Sequence, residues 1–195
     1  MWSRALVLCL MGLLPAGCGH SGPPWALKDI SGLMPDLAFT LTDTQTDRPV
    51  HAAAFAGKVV LLYFGYTHCP DVCPTTLSRL SLAVAGLGAK ADQARILFVS
   101  VDPKRDTAAA LKTYATAFGP EVVGLRGSAD ALAALTKRYR VTYGYGKPDA
   151  HGDYEVSHSS AVYIFDRQGH VRLLARPTDS ARAIMKDLKR LVAEG

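Results

Sequence analysis

Cysteine is scarce in this chain, which has four in 195 residues. Two of them, Cys9 and Cys18, lie in an N-terminal segment with the pattern of a leader, so only Cys69 and Cys73 remain for a folded domain. Structural zinc sites are closed by four ligands, commonly several cysteines. Two thiols therefore argue against a structural zinc site.

Concentrated positive charge is also missing. The net charge is +5, but the basic residues are scattered, and the densest cluster, 137–140, is short. Nucleic-acid-binding proteins gather basic residues on one stripe or arm. We therefore expect no nucleic acid among the partners of this chain.

The N-terminal apolar run, Ala5 to Leu14, is too short to cross a membrane, which takes roughly 20 residues. Because Arg4 precedes it, the run has the pattern of a secretory signal peptide. The following Leu14-Pro15-Ala16-Gly17-Cys18 resembles a bacterial lipobox, in which the cysteine carries lipid, although Pro15 stands where leucine is usual. The pattern predicts export of the chain, with Cys18 as the lipidation site.

These patterns divide the chain into three segments. Residues 1–18 are predicted to be the signal peptide with its lipobox, 19–29 a tether, and 30–195 one folded domain. We expect the domain at the periplasmic face of the bacterial cytoplasmic membrane, held there by the lipid anchor. That compartment is oxidising, so a disulfide between Cys69 and Cys73 can persist in it.

Apolar strands and helical segments alternate in an order typical of an α/β domain. The run Val59 to Phe64 is continuously apolar, which predicts a strand buried on both faces of a sheet. Alternation at 37–42, followed by a turn at 47–50, and turn residues at 166–169 predict two hairpins beside a βαβαβα core. We therefore predict a thioredoxin-like fold, with a central mixed sheet flanked by helices and inserted hairpins.

Both cysteines lie in Gly65-Tyr66-Thr67-His68-Cys69-Pro70-Asp71-Val72-Cys73-Pro74, directly after that buried strand. Open α/β sheets place their sites at the carboxyl ends of strands. Asp71 and Pro74 favour the start of a helix, because its first turn tolerates proline. Cys69 is thus predicted just before a helix and Cys73 at its first turn, where backbone N–H groups and the helix dipole favour thiolates.

Such a pair can be a structural staple, a redox pair or two metal ligands. A disulfide across so short a loop removes only ~2 kcal/mol of chain entropy, so a purely structural role is poorly motivated. Thioredoxin-like exchange uses C-x-x-C, whereas this chain has C-x-x-x-C. A peroxidatic cysteine requires T-x-x-C, whereas Thr67 stands only two residues before Cys69. These mismatches disfavour redox chemistry without excluding it.

Two thiolates alone are an unusual metal site, so we expect a third ligand among the six histidines. His158 is the leading candidate, because the segment 155–160 runs straight into a predicted core strand, whereas the other histidines lie in tether, loop or turn segments or adjoin Cys69. Two thiolates and an imidazole form a soft set that suits Cu(I), with Zn(II) as competitor. A site with three ligands leaves the metal reachable, which favours metal transfer over a structural role.

Three separated motifs in the right order give the chain a family resemblance. GYTHCPDVCPTTL, SVDPKRDT and VSHSSAVYIFDRQGHV resemble the Sco/SenC family of copper-binding assembly factors over roughly residues 30–190. The resemblance implies a membrane-tethered, thioredoxin-fold protein that binds copper through Cys69, Cys73 and His158. Many relatives have aspartate before the histidine, where this chain has Ser157. That change bears on how the imidazole is oriented and leaves the ligand in place.

The leading hypothesis is a copper chaperone that passes copper to the subunit of cytochrome c oxidase that holds its binuclear copper centre, with another copper protein as donor. The alternative is a thiol–disulfide reductase that keeps that subunit's cysteines reduced through a Cys69–Cys73 disulfide; a sensor is a third hypothesis. Asp102, at the end of the next strand, is a candidate for orienting a ligand or contacting a partner. For Asp106 we expect only a turn and a helix cap.

Overall fold

The computed structural model describes residues 23–194, so the predicted signal peptide and Cys18 lie outside the described residues. The strands are β1 (Lys28–Asp29), β2 (Thr40–Asp43), β3 (Arg48–His51), β4 (Val59–Gly65), β5 (Ala94–Ser100), β6 (Val122–Arg126), β7 (Tyr143–Tyr145), β8 (Val156–His158), β9 (Val162–Phe165) and β10 (Val171–Ala175). The helices are α1 (Val72–Ala85), α2 (Ala108–Thr116), α3 (Ala129–Arg138) and α4 (Ala181–Ala193), with short 3-10 helices at Ala52–Phe55 and Gly88–Gln93.

Eight strands form one sheet, in the order β1-β10-β9-β4-β5-β6-β2-β3. The pairs β4–β5 and β5–β6 are parallel, and every other neighbouring pair is antiparallel. All seven residues of β4 are buried, as expected for a central strand that is covered on both faces. The predicted mixed sheet flanked by helices is therefore confirmed.

Both predicted hairpins are present, with one difference in detail. Residues Arg48 to Val50 were expected in the turn before the core, but they form strand β3, which pairs with β2. Pro49 is tolerated there because β3 is an edge strand, where a missing N–H donor breaks no ladder bond. The turn lies before β3 instead and contains Asp47, whose φ of 53° is in the left-handed region.

The Gly/Tyr-rich segment after α3 forms a third hairpin, β7–β8, outside the main sheet. Its register pairs Tyr143 with His158 and Tyr145 with Val156. The Tyr145 hydroxyl donates to the Val101 carbonyl oxygen at 2.7 Å, which fastens the hairpin to the carboxyl end of β5. This attachment places His158 over the same edge of the sheet as the cysteine loop. No helix within 23–194 is long and apolar enough to span a bilayer.

Candidate metal centre

Cys69, Cys73 and His158 come together at the carboxyl end of β4. One ligand atom from each lies within 4.8 Å of the other two. The Cys73 Sγ and the His158 Nε2 are 3.3 Å apart although the residues are 85 positions apart in the chain. Within residues 23–194, this is the one cluster of three such side chains with metal-binding spacing.

The start of α1 holds the two sulfur atoms close together. Cys69 precedes the helix and Cys73 lies in its first turn, as the sequence predicts. The Cys73 backbone N–H donates to the Cys69 Sγ at 3.3 Å, so a free N–H group of the first helical turn points at a sulfur atom. This contact is favourable for a thiolate at Cys69, because the hydrogen bond becomes stronger when the acceptor is ionised.

Gly65, the last residue of β4, leaves room for the Cys73 sulfur. A Cβ atom at position 65 would lie 2.9 Å from the Cys73 Sγ and 2.6 Å from the Phe98 ring. Both separations are shorter than carbon–sulfur and carbon–carbon contact distances, so a side chain there would displace the thiol. The missing side chain at Gly65 therefore leaves a notch in the strand that accommodates the buried sulfur. The two sulfur atoms and the His158 nitrogen together fit a soft metal ion.

The His158 ring is oriented with Nε2 towards the cysteines. Its Nδ1 lies 3.0 Å from the Ser159 carbonyl oxygen, which can only accept, so Nδ1 carries the proton and Nε2 keeps its lone pair. The ring also packs edge-on against Tyr66 at 5.8 Å and Tyr63 at 6.1 Å. Ser157 is exposed and donates to the Gly144 carbonyl oxygen at 3.3 Å. Orientation of the imidazole thus depends on Ser159 and the two tyrosines.

Burial controls the protonation of this site in the metal-free protein. It raises the pKa of the Cys73 thiol to about 12, although a backbone hydrogen bond from Tyr66 acts in the opposite direction. The expectation that the helix start makes Cys73 a thiolate is therefore wrong without metal, because loss of hydration outweighs the hydrogen bonds that favour the thiolate. Burial also lowers the pKa of His158, so its ring is neutral at pH 7.

Cu(I) binding is expected to strengthen as the pH rises from 6 to 9. Cys73 must lose a proton before its sulfur can coordinate, because its pKa lies far above neutral, whereas neutral His158 need not lose one. At pH 7 each Cu(I) bound should release at least one proton. Calorimetry in buffers of different ionisation enthalpy measures that number. Binding without proton release would show that the sulfur of Cys73 does not coordinate.

Asp106 ties the cysteine loop to the sheet. Its buried carboxylate accepts hydrogen bonds from the Thr67 backbone N–H, the Thr67 hydroxyl at 2.6 Å and the Ser100 hydroxyl at 2.6 Å. Asp106 lies in the expected turn, where its N–H donates to the Asp102 carbonyl oxygen at 2.9 Å, but it is not the helix cap. The N-cap of α2 is Thr107, whose hydroxyl accepts from the Ala110 N–H. Asp106 instead fixes the backbone two residues before Cys69.

Asp102 acts on the hairpin that carries His158. It is fully buried, accepts from the Tyr154 hydroxyl at 2.8 Å and pairs with Arg105 at 2.6 Å. Arg105 in turn stacks on the Tyr154 ring, 3.7 Å from its centre. Asp102 therefore reaches the site through Tyr154, in the loop between β7 and β8. The sequence motifs did not point to Tyr154, since a tyrosine in a polar loop has no distinguishing pattern.

His68 adjoins Cys69 in the sequence but turns away from it. Its Nδ1 lies 3.1 Å from the Thr67 hydroxyl and 3.7 Å from the Asp106 carboxylate, and half of the side chain is exposed. The remaining described histidines, His51, His151 and His170, lie on an edge strand, in a loop and in a turn. The structure thus brings His158 to the cysteines and leaves the other described histidines apart.

An open cavity of about 590 Å³ gives access to the cluster. Cys69 and His158 contribute to its wall, which also includes the exposed side chains Val72 and Tyr145. Cys73 is fully buried behind them. A molecule entering the cavity would therefore meet Cys69 and His158 first.

Comparison with known proteins identifies relatives of this chain. A family model described as SCO1/SenC matches residues 34–193. The mitochondrial SCO2 homolog of Mus musculus is 38% identical over 157 residues, which are 80% of this chain and 61% of the relative. The copper-bound structure of Bradyrhizobium japonicum ScoI is 37% identical, with a TM-score of 0.72, over 80% of this chain and 98% of that one.

A more distant solved structure shares the fold. BsSco, described as a member of the Sco family of cytochrome c oxidase assembly proteins with a disulfide switch, is 22% identical, with a TM-score of 0.65, over 87% of this chain and 99% of that one. The family match covers most of the chain, and the solved relatives share its thioredoxin-like arrangement of sheet and helices. The chain therefore belongs to the SCO1/SenC family.

Proposed function

We propose that this protein is a copper carrier for the assembly of cytochrome c oxidase. Cys69, Cys73 and His158 hold one copper ion, which the protein passes to the subunit that contains the binuclear copper centre. The observation that carries the proposal is the convergence of two sulfur atoms and one imidazole nitrogen within 4.8 Å. Copper is cargo here, so the site has to release it as well as bind it.

The chemistry of the donors supports copper over magnesium and calcium. Thiolate and imidazole ligands are soft to intermediate, which favours Cu(I), whereas magnesium and calcium prefer oxygen ligands. No carboxylate belongs to the described cluster, and the notch at Gly65 fits the sulfur that is buried deepest. The copper-bound relative from Bradyrhizobium japonicum supports the same choice of metal.

The unequal exposure of the ligands supports transfer by ligand exchange. Cys69 is partly exposed at the cavity, whereas Cys73 is buried against β4. A ligand of the acceptor protein can therefore approach from the cavity and replace Cys69 before Cys73. Stepwise exchange avoids release of free copper, because at least one bond to the ion persists throughout.

Reduction of the acceptor's cysteines is the second candidate function. Both thiols are free and close together, and a backbone N–H of the first turn of α1 points at Cys69. In that reaction the two thiols would lose two electrons and two protons to a disulfide of the partner and become a disulfide themselves. The disulfide switch described for BsSco is compatible with this chemistry.

An acceptor assay separates the two functions. The Cu(I)-loaded protein is mixed with the reduced, metal-free copper-centre domain of the oxidase subunit, and the metal-free protein with the same domain carrying a disulfide. A copper carrier transfers copper in the first mixture, which metal analysis of the separated proteins detects. Transfer absent in the first and new thiols in the second would support the reductase instead.

The N-terminal segment supports membrane tethering through lipid on Cys18. Residues 1–18 have the order of charged, apolar and lipobox segments, and 19–29 would then be a tether for the domain at 30–195 on the periplasmic face. Intact-mass measurement of the membrane fraction should give a chain that begins at Cys18 with added lipid. A mature mass without lipid would reject the anchor and leave the copper site unaffected.

A further inference from the structure

Tyr63 has a buried hydroxyl that neither proposed function uses. The side chain is fully buried in β4, and within residues 23–194 its hydroxyl makes no hydrogen bond of normal geometry, although Cys73 and Thr76 are close to it. Buried polar groups are nearly always paired, because an unpaired one loses its bonds to water without replacement. An unpaired hydroxyl at the centre of the sheet therefore calls for a partner in another state of the protein.

Tyr63 lies beside the Cys73 sulfur, on the side that faces the protein interior and not the cavity. Tyr63 and Gly65 are two residues apart in a strand and therefore share one face, the face on which the Cys73 Sγ approaches Gly65. The Tyr63 ring lies 6.1 Å from the His158 ring, and the hydroxyl is a neighbour of the Cys73 thiol and Thr76. The cavity wall includes neither Tyr63 nor Cys73, so this contact is away from solvent.

Metal binding by the Cys73 sulfur can give the Tyr63 hydroxyl the hydrogen-bond partner that it lacks. In the metal-free protein the Cys73 Sγ faces the His158 Nε2 at 3.3 Å. Metal coordination requires the thiolate, which has no proton to donate and is a strong acceptor. A hydroxyl held in a dry environment beside it is a suitable donor, and a hydrogen bond to an ionised acceptor is stronger than one between neutral groups.

We propose that the Tyr63 hydroxyl donates a hydrogen bond to the Cys73 sulfur in the metal-bound state and thereby sets both the copper affinity and the Cu(II)/Cu(I) potential of the site. This inference rests on the proposed copper site and adds a positioning residue to it. The hydrogen bond stabilises the thiolate that coordination requires, so its loss should weaken binding. It also withdraws charge from the sulfur, so its loss should favour Cu(II) over Cu(I).

The test compares Tyr63→Phe with Tyr114→Phe. Tyr114 is a matched control, because its hydroxyl is also buried and unpaired within the described residues and its ring packs on the same phenylalanine, Phe98. Its hydroxyl interacts with the charge of Cys73 but, unlike that of Tyr63, is not placed to hydrogen-bond to the sulfur. Cu(I) affinity is measured by competition with a chromogenic chelator, and the copper potential by voltammetry. Thermal unfolding of the metal-free proteins checks the fold. Because each removed hydroxyl is unpaired, neither substitution should lower the midpoint temperature of unfolding.

Tyr63→Phe should lower Cu(I) affinity by roughly tenfold, as for loss of one hydrogen bond to a charged group, and should lower the copper potential. Its sulfur-to-Cu(II) charge-transfer band should move to longer wavelength, while Tyr114→Phe matches the wild type. If all three proteins had the same affinity, potential and charge-transfer band, or if both variants changed equally, the inference about Tyr63 would be wrong and the proposed function would stand. A wild-type protein that binds no copper would overturn the proposed function and the inference with it.

Discussion

Replacement of His158 by alanine should lower the Cu(I) affinity of the reduced protein by at least about 100-fold, since loss of outer-shell partners alone costs 10–100-fold. The imidazole supplies one of three ligand atoms, and its Nε2 faces the cysteines because Nδ1 is bound to the Ser159 carbonyl oxygen. Its removal leaves two sulfur ligands. Chelator competition at fixed pH measures the change.

His68→Ala is the matched control for that experiment. His68 is next to Cys69 in the sequence, but its ring contacts Thr67 and Asp106. We expect its removal to leave the affinity unchanged. Wild-type affinity in His158→Ala, or an equal loss in both variants, would contradict the assignment of His158 as the third ligand.

The same pair of variants also separates the two candidate functions. A reductase uses only the two sulfur atoms, so His158→Ala should keep most of its ability to reduce a partner's disulfide. A copper carrier with this substitution should lose copper transfer. Loss of disulfide reduction together with unchanged copper affinity would favour the reductase.

Asp106→Asn should lower the free energy of unfolding by about 2–4 kcal/mol, because buried donors left without an acceptor cost 1–3 kcal/mol each. The carboxylate accepts from the Thr67 N–H, the Thr67 hydroxyl and the Ser100 hydroxyl, whereas an amide replaces one acceptor oxygen with a donor. Because Thr67 lies two residues before Cys69, the copper affinity should fall as well. Denaturant unfolding and chelator competition measure the two effects.

Asp92→Asn provides the control for the change of charge and shape. Asp92 is exposed, and its ion pair with Lys58 is long, at 4.0 Å. Exposed ion pairs of this kind contribute little to stability, so the free energy of unfolding should change by no more than about 0.5 kcal/mol. If both substitutions had the same small effect, Asp106 would not hold the cysteine loop in place.

The positions of the cysteines could be predicted from sequence because each step is local. A continuously apolar strand and a proline that is tolerated in a first helical turn locate Cys69 before α1 and Cys73 within it. His158 could be selected because its segment runs directly into β9, a core strand. The family motifs then indicated that the three residues form one site, because no rule of sequence spacing connects residues that are 85 positions apart.

The contacts that support the site could not be predicted in the same way. Asp106 binds Thr67 across 39 positions, and Tyr154 binds Asp102 across 52, and neither contact has a local pattern. The state of Cys73 was predicted from the backbone N–H groups and the dipole at the helix start, whereas its pKa is set mainly by burial. Burial depends on the packing of β4, β5 and α1 around the sulfur, which a single sequence does not contain.

Titration of the reduced protein with Cu(I), in competition with a chromogenic chelator, tests the central claim most directly. The account predicts that each wild-type chain retains one Cu(I) through sulfur and imidazole ligands, and that Cys69→Ser and Cys73→Ser each lose it. Retention of no copper by the wild type, or full retention by either serine variant, would contradict it.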